Sequence, residues 1–321
     1  MIQTKNLVKQ YGSFTAVNDL NLNIPKGEIY GFLGPNGAGK TSTIMMLLGI
    51  APPTSGEIYL FEEEFGPHRL DLRKRIGMVP EKHPAGMWSW MTGVEYLQFF
   101  ADLFELEKKT ENPRDRIEHL LEQVGLSEAE NKKISEYSRG MLQKLSIVRA
   151  LLHDPDILFL DEPISGLDPL GIKQVRDLII AENREGRTIF ISSHLLSEVE
   201  KICQRVAIIY NGSLKVEDKM ANILSNLSTE REIQIGLETI PEALCASIKE
   251  LPFVVDAFER EEKLVLKISK EGDFRKDISS YLIKQELVPL SIEEKTMSLE
   301  DAFVTITREN IELLTSMGDK A

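Results

Sequence analysis

The sequence has little cysteine and no long apolar segment. Its two cysteines, Cys203 and Cys245, stand far apart in a chain of 321 residues, so neither a disulfide framework nor a cysteine-ligated metal site is expected. No apolar run approaches the roughly 18–20 residues that a membrane-spanning helix needs. Residues 1–10 also lack the apolar core of a secretory signal. We therefore expect a cytoplasmic protein whose membrane role, if it has one, runs through a partner.

The sequence also lacks an excess of positive charge. It has 38 Lys and Arg against 51 Asp and Glu, a net charge of −13. Nucleic acid and anionic lipid both attract basic surfaces, so no nucleic-acid partner and no broad adhesion to lipid are expected. The content of 42% hydrophobic and 28% charged residues is that of a globular protein. The length allows about two domains.

A glycine-rich segment stands between an apolar strand, predicted at residues 28–33, and a helix predicted from Lys40 to about Leu48. Residues 34–41 read Gly-Pro-Asn-Gly-Ala-Gly-Lys-Thr and fit the pattern G-x-x-x-x-G-K-[ST]. In such a loop, backbone N–H groups face phosphate, the lysine neutralises the β and γ phosphates, and the hydroxyl after it ligates Mg²⁺. The pattern predicts a site for ATP and Mg²⁺. Its predicted residues are Gly34, Pro35, Asn36, Gly37, Ala38, Gly39, Lys40, Thr41 and Ser42.

Two acids and a histidine follow later strands. Asp161 and Glu162 end an apolar strand predicted at 157–160, and His194 follows a strand predicted at 188–192. Acids in this position often only cap the next helix, and a lone histidine is usually structural or exposed. After a phosphate loop, however, the carboxyl edge of a parallel sheet is where ligands bind. We predict that Asp161 holds Mg²⁺, that Glu162 polarises the attacking water, and that His194 faces the same site.

A third motif lies about twenty residues before the acidic strand. Residues 137–141 read Tyr-Ser-Arg-Gly-Met, and this segment resembles the L-S-G-G-Q signature of ABC ATPases. The resemblance continues through residues 149–151, 161–169 and 193–194, and it covers residues 1 to about 215. It implies an α/β fold: a P-loop NTPase domain of the ABC type, with an antiparallel β-subdomain and a helical subdomain at about 91–152.

The resemblance also implies an assembly. ATP would lie between the phosphate loop of one subunit and Ser138 and Gly140 of another, in a homodimer or heterodimer, with Asp168 communicating across the interface. Tyr11 resembles the aromatic residue that stacks on adenine. Glu81 stands where a glutamine usually contacts Mg²⁺ and the membrane partner. Glu81, Arg139 and Met141 depart from the commonest pattern, in the way of bacterial exporters of the drug-resistance, bacitracin and sodium-extrusion kind.

The leading interpretation is the ATP-hydrolysing subunit of an exporter, held on the inner face of the cell membrane by a transmembrane permease on a separate chain. We further expect Met87, Trp88 and Trp90 to line or adjoin the groove that receives the permease. The alternative is that this loop folds back and buries both tryptophan rings.

Two other functions are weighed against transport. A non-transport ABC ATPase acting on the ribosome or on DNA would carry either two cassettes or a long coiled coil between its ATP motifs. The short stretch between Lys40 and Asp161 shows no sustained heptads. A regulatory subunit without hydrolysis is disfavoured because Lys40, Asp161, Glu162 and His194 are all present.

Residues 1–219 are predicted to form the ATP-binding domain and residues 220–321 a small α+β accessory domain. In the second, strands are predicted at 232–237, 253–259, 263–269 and 287–292, and helices at 241–251 and 274–284. This β-α-β-β-α-β order is typical of a ferredoxin-like module. A closing helix is predicted from about Leu299.

Overall fold

The computed structural model describes residues 1–82, 86, 88–108, 112–227, 231–241, 243–269, 272–295 and 298–306. The chain divides into two compact units, Met1–Met220 and Ala221–Ala321. The first unit has two sheets and the second has one, and each unit has its own apolar core.

The elements of the first unit are as follows. Its strands are β1 (Ile2–Tyr11), β2 (Phe14–Ile24), β3 (Ile29–Leu33), β4 (Ser55–Leu60), β5 (Glu63–Glu64), β6 (Ile76–Val79), β7 (Ile157–Asp161), β8 (Thr188–Ser192), β9 (Arg205–Tyr210) and β10 (Ser213–Lys219). Its helices are α1 (Lys40–Leu47), α2 (Leu70–Arg73), α3 (Gly93–Leu103), α4 (Pro113–Gln123), α5 (Arg139–Leu151), α6 (Pro169–Arg184) and α7 (Leu196–Ile202). Helix α8 (Met220–Leu227) begins at the last residue of this unit.

A six-stranded sheet forms the centre of the first unit, in the order β10-β9-β3-β8-β7-β6. All neighbouring strands are parallel except β10, which pairs antiparallel with β9. Every residue of β3, β7 and β8 is buried, which explains why they are continuous apolar runs without alternation. Because β3, β8 and β7 are adjacent and parallel, the segments that follow them meet at one edge of the sheet.

A second sheet is antiparallel, with the order β2-β1-β4-β5, as the resemblance implied. Its apolar face, with Leu7, Leu22 and Ile58, shares one core with Phe32 and Phe159 of the central sheet. Strands β1 and β2 are joined by the two residues Gly12 and Ser13, so Tyr11 pairs directly with Phe14. The shared core therefore fixes where this hairpin lies.

Helices α3, α4 and α5 form the helical region expected within 91–152, and each begins at a residue whose side chain caps it. Thr92 and Glu95 form a capping box at α3, Asn112 caps α4, and the Ser138 hydroxyl accepts the Met141 N–H at α5. Such caps satisfy backbone N–H groups that have no partner inside the helix. All three helices lie inside the predicted range.

The second unit contains β11 (Arg231–Gly236), α9 (Leu244–Ile248), β12 (Val254–Arg260), β13 (Lys263–Ile268), α10 (Arg275–Lys284) and β14 (Ser291–Lys295). Its sheet has the order β12-β13-β11-β14, and all its neighbouring strands are antiparallel. This is the predicted β-α-β-β-α-β succession, folded with the two outer strands of the sequence, β11 and β14, side by side. Residues 299–306 are helical, as expected for the closing helix.

Two elements of the second unit differ from the prediction. The strand expected at 287–292 begins at Ser291. Leu287 instead closes the end of α10, because its N–H donates to the Leu282 carbonyl after Glu286 adopts a left-handed φ of 61°, and Pro289 has no N–H for a strand ladder. The helix expected at 241–251 covers only 244–248 in the described residues.

Candidate active site

The phosphate loop winds closely between two neighbouring segments. A β-carbon at Gly34 would lie 2.5 Å from the Ile209 carbonyl oxygen, and one at Gly39 would lie 2.4 Å from the Ala16 carbonyl oxygen. Gly39 also has φ of 108°, a conformation that favours glycine. Helix α1 begins directly after it, so the free N–H groups of its first turn face the loop.

The loop borders a cleft of about 480 Å³ at the carboxyl edge of the central sheet. Nearly all the residues predicted for ATP, Mg²⁺ and catalysis at this edge line it. They are Tyr11, Gly34, Pro35, Asn36, Gly37, Gly39, Lys40, Thr41, Ser42, Glu81, Asp161, Glu162 and His194. Ala38 is buried behind the loop, where its N–H donates to the Pro35 carbonyl.

Lys40 lies in the floor of the cleft and is only 8% exposed. Its Nζ donates to the carbonyl oxygens of Gly34, at 2.6 Å, and Pro35, at 3.2 Å. Burial lowers the pKa of Lys40, and the negative charges of Glu162, Asp161 and Glu81 oppose that shift. The Lys40 amine is therefore a largely buried group close to acidic side chains, and not a solvated charge on the surface.

Asp161 ends β7 as a buried carboxylate that accepts a hydrogen bond from the Ser192 hydroxyl. Burial raises the pKa of Asp161, and the charges of Glu162 and Glu81 raise it further, while the Ser192 hydrogen bond lowers it. The carboxylate thus lies where its negative charge is incompletely compensated, which suits it to a cationic ligand.

Glu162 follows with a left-handed φ of 51°, which is unusual for a residue other than glycine. Its Oε2 lies 2.8 Å from His194 Nδ1 and 3.4 Å from the Ser193 hydroxyl, which donates to it. The Glu162 side chain is 10% exposed, whereas that of His194 is 59% exposed. The pair places a buried carboxylate at the cleft with an open histidine beside it.

The donor atoms around the cleft suit the chemistry of Mg²⁺. Thr41, Glu81 and Asp161 supply oxygen ligands, which Mg²⁺ prefers, and they lie around one cleft. In the described part of the chain, no group of three or more His, Cys, Asp or Glu side chains could hold a metal by itself. Mg²⁺ is commonly held by one or two carboxylates together with substrate phosphates. The residues therefore fit a magnesium–nucleotide complex.

Ser138, Gly140 and Asp168 are not among the described residues that line this cleft. Ser138 caps α5, and Asp168 caps α6 by accepting the Gly171 N–H at 2.8 Å. Both are exposed. A β-carbon at Gly140 would lie 3.3 Å from Leu167 Cδ2. These three residues therefore mark the N-terminal ends of two helices outside the cleft of their own chain.

Sequence reasoning missed three residues of the cleft, Phe14, Ala16 and Ser165. Phe14 lies opposite Tyr11 across the β1–β2 hairpin and is exposed. The two-residue turn at Gly12 could have indicated that Phe14 lies opposite Tyr11. Ser165 could have been found because it lies in the segment that carries the family resemblance. For Ala16 we find no signal in the sequence.

The two tryptophans have different surroundings. The Trp88 ring is half-buried, with its centroid 5.1 Å from that of Phe99, 5.8 Å from Tyr96 and 5.9 Å from Phe100. Trp90 is 68% exposed. Met87 lies outside the described residues. For Trp88 the structure favours the alternative weighed above, a ring packed on the helical region.

Across the described part of the chain, none of the helices combines the length and apolar character that crossing a bilayer requires.

Comparison with known proteins places this site in a family. Residues 17–165 match the ABC transporter family. The bacitracin transport ATP-binding protein BcrA of Bacillus licheniformis is 37% identical over 307 residues, which cover 95% of this chain and 97% of that protein. The linearmycin resistance ATP-binding protein LnrL of Bacillus subtilis is 32% identical over 310 residues, covering 96% of this chain and 98% of LnrL.

Solved structures agree. An ATP-binding subunit of an ABC transporter superposes with a TM-score of 0.65 at 27% identity, covering 70% of this chain and 92% of that one. The dimeric structure of MJ0796, a bacterial ABC transporter cassette, gives a TM-score of 0.62 at 26% identity, covering 68% and 99%. The family and the fold class predicted from the sequence are confirmed. The chain belongs to the ABC transporter family, as an ATP-binding subunit that hydrolyses ATP.

Proposed function

We propose that this subunit is the Mg²⁺-dependent ATPase of an exporter, paired with a second ATP-binding subunit and held on the inner face of the cell membrane by a separate permease. One observation carries the catalytic part. Lys40, Asp161 and Glu162, from segments far apart in sequence, line a single cleft at the end of a phosphate loop. Phosphoryl transfer requires positioning and charge neutralisation, and these residues supply both.

ATP binding uses the loop and its lysine. The free N–H groups of the loop and of the N-terminus of α1 face the triphosphate. Lys40 exchanges its two carbonyl acceptors, Gly34 and Pro35, for β- and γ-phosphate oxygens. The exposed rings of Tyr11 and Phe14, opposite each other on the hairpin, offer a stacking surface to adenine.

Hydrolysis uses the acids at the sheet edge. Thr41, Asp161 and Glu81 would hold Mg²⁺, which when bound offsets phosphate charge. Glu162 orients the attacking water and accepts its proton. His194, whose Nδ1 lies 2.8 Å from Glu162 Oε2, holds the carboxylate in place. The left-handed backbone of Glu162 supports this role, because strained conformations often occur at functional sites.

Pairing explains residues that the single chain leaves outside the cleft. Ser138, Gly140 and Asp168 mark the N-terminal ends of α5 and α6, where a second subunit could present its nucleotide to free N–H groups. The related cassette MJ0796 was solved as a dimer. Whether the pair is made of two copies of this chain is an outcome of the experiment below.

Export and permease binding rest on the relatives. LnrL is named for linearmycin resistance and BcrA for bacitracin transport, and moving a toxic compound out of the cell is how a transporter confers resistance. The exposed Trp90 remains a candidate contact for the permease, since exposed tryptophans are favoured interface anchors. A ribosomal or DNA-bound role is disfavoured, because BcrA and LnrL, both named for transport or resistance, match this chain over nearly their whole length.

Two variants and one purification test the proposal. Glu162→Gln should bind ATP, hydrolyse it very slowly and accumulate as an ATP-bound dimer in size exclusion. Lys40→Ala should lose at least about tenfold in ATP affinity, roughly 1.4 kcal/mol. Glu162→Gln that hydrolyses at the native rate would show that Glu162 lacks this role. Purification from detergent-solubilised membranes should recover the permease, and recovery of ribosomes instead would overturn the transport assignment.

A further inference from the structure

The first turn of α5 is in contact with the turn that follows β7. Arg139 Nη2 donates a hydrogen bond to the Ser165 hydroxyl at 3.1 Å. A β-carbon at Gly166 would lie 2.8 Å from Arg139 Nε, so the guanidinium lies directly against the Gly166 backbone. Gly166 has φ of 77°, a conformation in which any side chain is disfavoured. The absence of a side chain there leaves room for the arginine.

The same turn sets the backbone of Glu162. The Ser165 N–H donates to the Glu162 carbonyl at 3.1 Å. Gln143, a buried residue of α5, lies with Nε2 3.4 Å from that carbonyl. The left-handed φ of Glu162 is stable only if its surroundings hold it. Helix α5 therefore touches both ends of the turn, through Gln143 at Glu162 and through Arg139 at Ser165 and Gly166.

We propose that Arg139 is a positioning residue for ATP hydrolysis, which acts through Ser165 to hold the 162–166 turn and with it the Glu162 carboxylate. The inference rests on the role proposed above for Glu162. An arginine suits this position because its planar group donates along its edge and packs by its face. Ser165 also lines the cleft, so the arginine reaches the site through a single intermediate side chain.

Arg139 is adjacent to Ser138 at the N-terminal end of α5, and neither residue is among the described residues that line the cleft. Any partner that binds at this helix end would act on the same backbone that carries Arg139. The contacts of Arg139 with Ser165 and of Ser165 with Glu162 therefore connect a partner bound at this helix end to the Glu162 carboxylate of the same chain.

A double-mutant cycle on the purified full chain tests the proposal. Arg139→Ala should lower kcat for ATP about three- to tenfold, the range expected for one partly exposed hydrogen bond, and leave KM within about twofold. Ser165→Ala should lower kcat similarly, and the double variant should be no slower than the slower single variant. The matched control is Arg184→Ala, which removes an exposed arginine at the end of α6 and should leave kcat unchanged.

The unfolding midpoint distinguishes a loss of positioning from a loss of the fold. In Arg139→Ala it should stay within about 2 °C of the native value, since exposed polar contacts add little stability. Glu162→Gln is measured in the same series. If it hydrolyses ATP at the native rate, the proposed role of Glu162 fails. If it is inactive while Arg139→Ala keeps the native kcat, only the positioning role fails.

Two further results would also overturn the proposal. A raised KM with unchanged kcat in Arg139→Ala would mean that the guanidinium binds nucleotide directly. Additive losses in the double variant would mean that Arg139 does not act through Ser165.

Discussion

The two tryptophans provide a matched pair for testing how the loop before α3 is built. Trp88 packs on Tyr96, Phe99 and Phe100, whereas Trp90, two residues later, is 68% exposed. We predict that Trp88→Ala destabilises the first unit strongly and that Trp90→Ala does not. The chain contains only these two tryptophans, so each variant leaves the other ring as its single indole fluorophore.

The size of the effect follows from the contacts. Truncation of a fully buried tryptophan costs about 3–5 kcal/mol, and the half-buried Trp88 should lose roughly half of that, about 2 kcal/mol. For a unit of this size, that corresponds to a fall of about 4–8 °C in the unfolding midpoint. Trp90→Ala should change the free energy of unfolding by less than about 0.5 kcal/mol, as exposed substitutions usually do.

The assay is unfolding by urea, followed by the remaining indole, because that signal comes from the first unit alone. A loss below about 0.5 kcal/mol in Trp88→Ala would refute the packed position of that ring. A loss of several kcal/mol in Trp90→Ala would exclude it as a surface contact for the permease. With stability and ATP affinity intact, Trp90→Ala should instead reduce the amount of the subunit recovered with membranes.

The acids and the signature segment give two more predictions. Burial raises the pKa of Asp161, so its ionised form is less favourable in the folded than in the unfolded chain, and the penalty is present above the folded pKa and absent below the unfolded one. Asp161→Asn should therefore abolish hydrolysis and yet raise the free energy of unfolding of the nucleotide-free chain at pH 7–8, by an amount that shrinks as the pH falls. Denaturant unfolding at several pH values measures this difference. No stabilisation at pH 7–8, or a stabilisation that grows on acidification, would contradict the predicted direction. Ser138→Arg should leave ATP binding unchanged, because Ser138 lies outside the cleft of its own chain, and it should block hydrolysis. Nucleotide titration and phosphate release measure the two effects. Hydrolysis at the native rate would show that the signature segment takes no part in the reaction.

The central sheet could be predicted because its strands are buried on both faces. Residues 189–191 and 206–210 are uninterrupted apolar runs, and they form the interior of β8 and most of β9. The two edge strands of this sheet, β10 and β6, were missed for different reasons. The residues of β10 are half-buried or exposed throughout, so they give no apolar run, and β6 is only four residues long and contains Gly77.

The sequence could predict that site residues lie together where the end of a strand determines their position. It could not do so where a contact between side chains determines it. The phosphate loop, Asp161 and His194 each lie at or just after the carboxyl end of a parallel strand, and these strands are adjacent, which brings the three together. The contacts of Ser192 with Asp161 and of Arg139 with Ser165 join residues 31 and 26 positions apart, and depend on rotamers and helix placement that no local pattern encodes.

Phe14 is an intermediate case. Tyr11 was predicted to meet adenine from the resemblance, while its neighbour across the hairpin was left unassigned. A two-residue turn at Gly12 and Ser13 places the flanking residues directly opposite each other, with both side chains on one face. Gly12 has φ of 59°, as the first residue of such a turn requires. The local rule for hairpins was therefore sufficient to pair Phe14 with Tyr11, and only the assignment of residues 12–13 as a tight turn was missing.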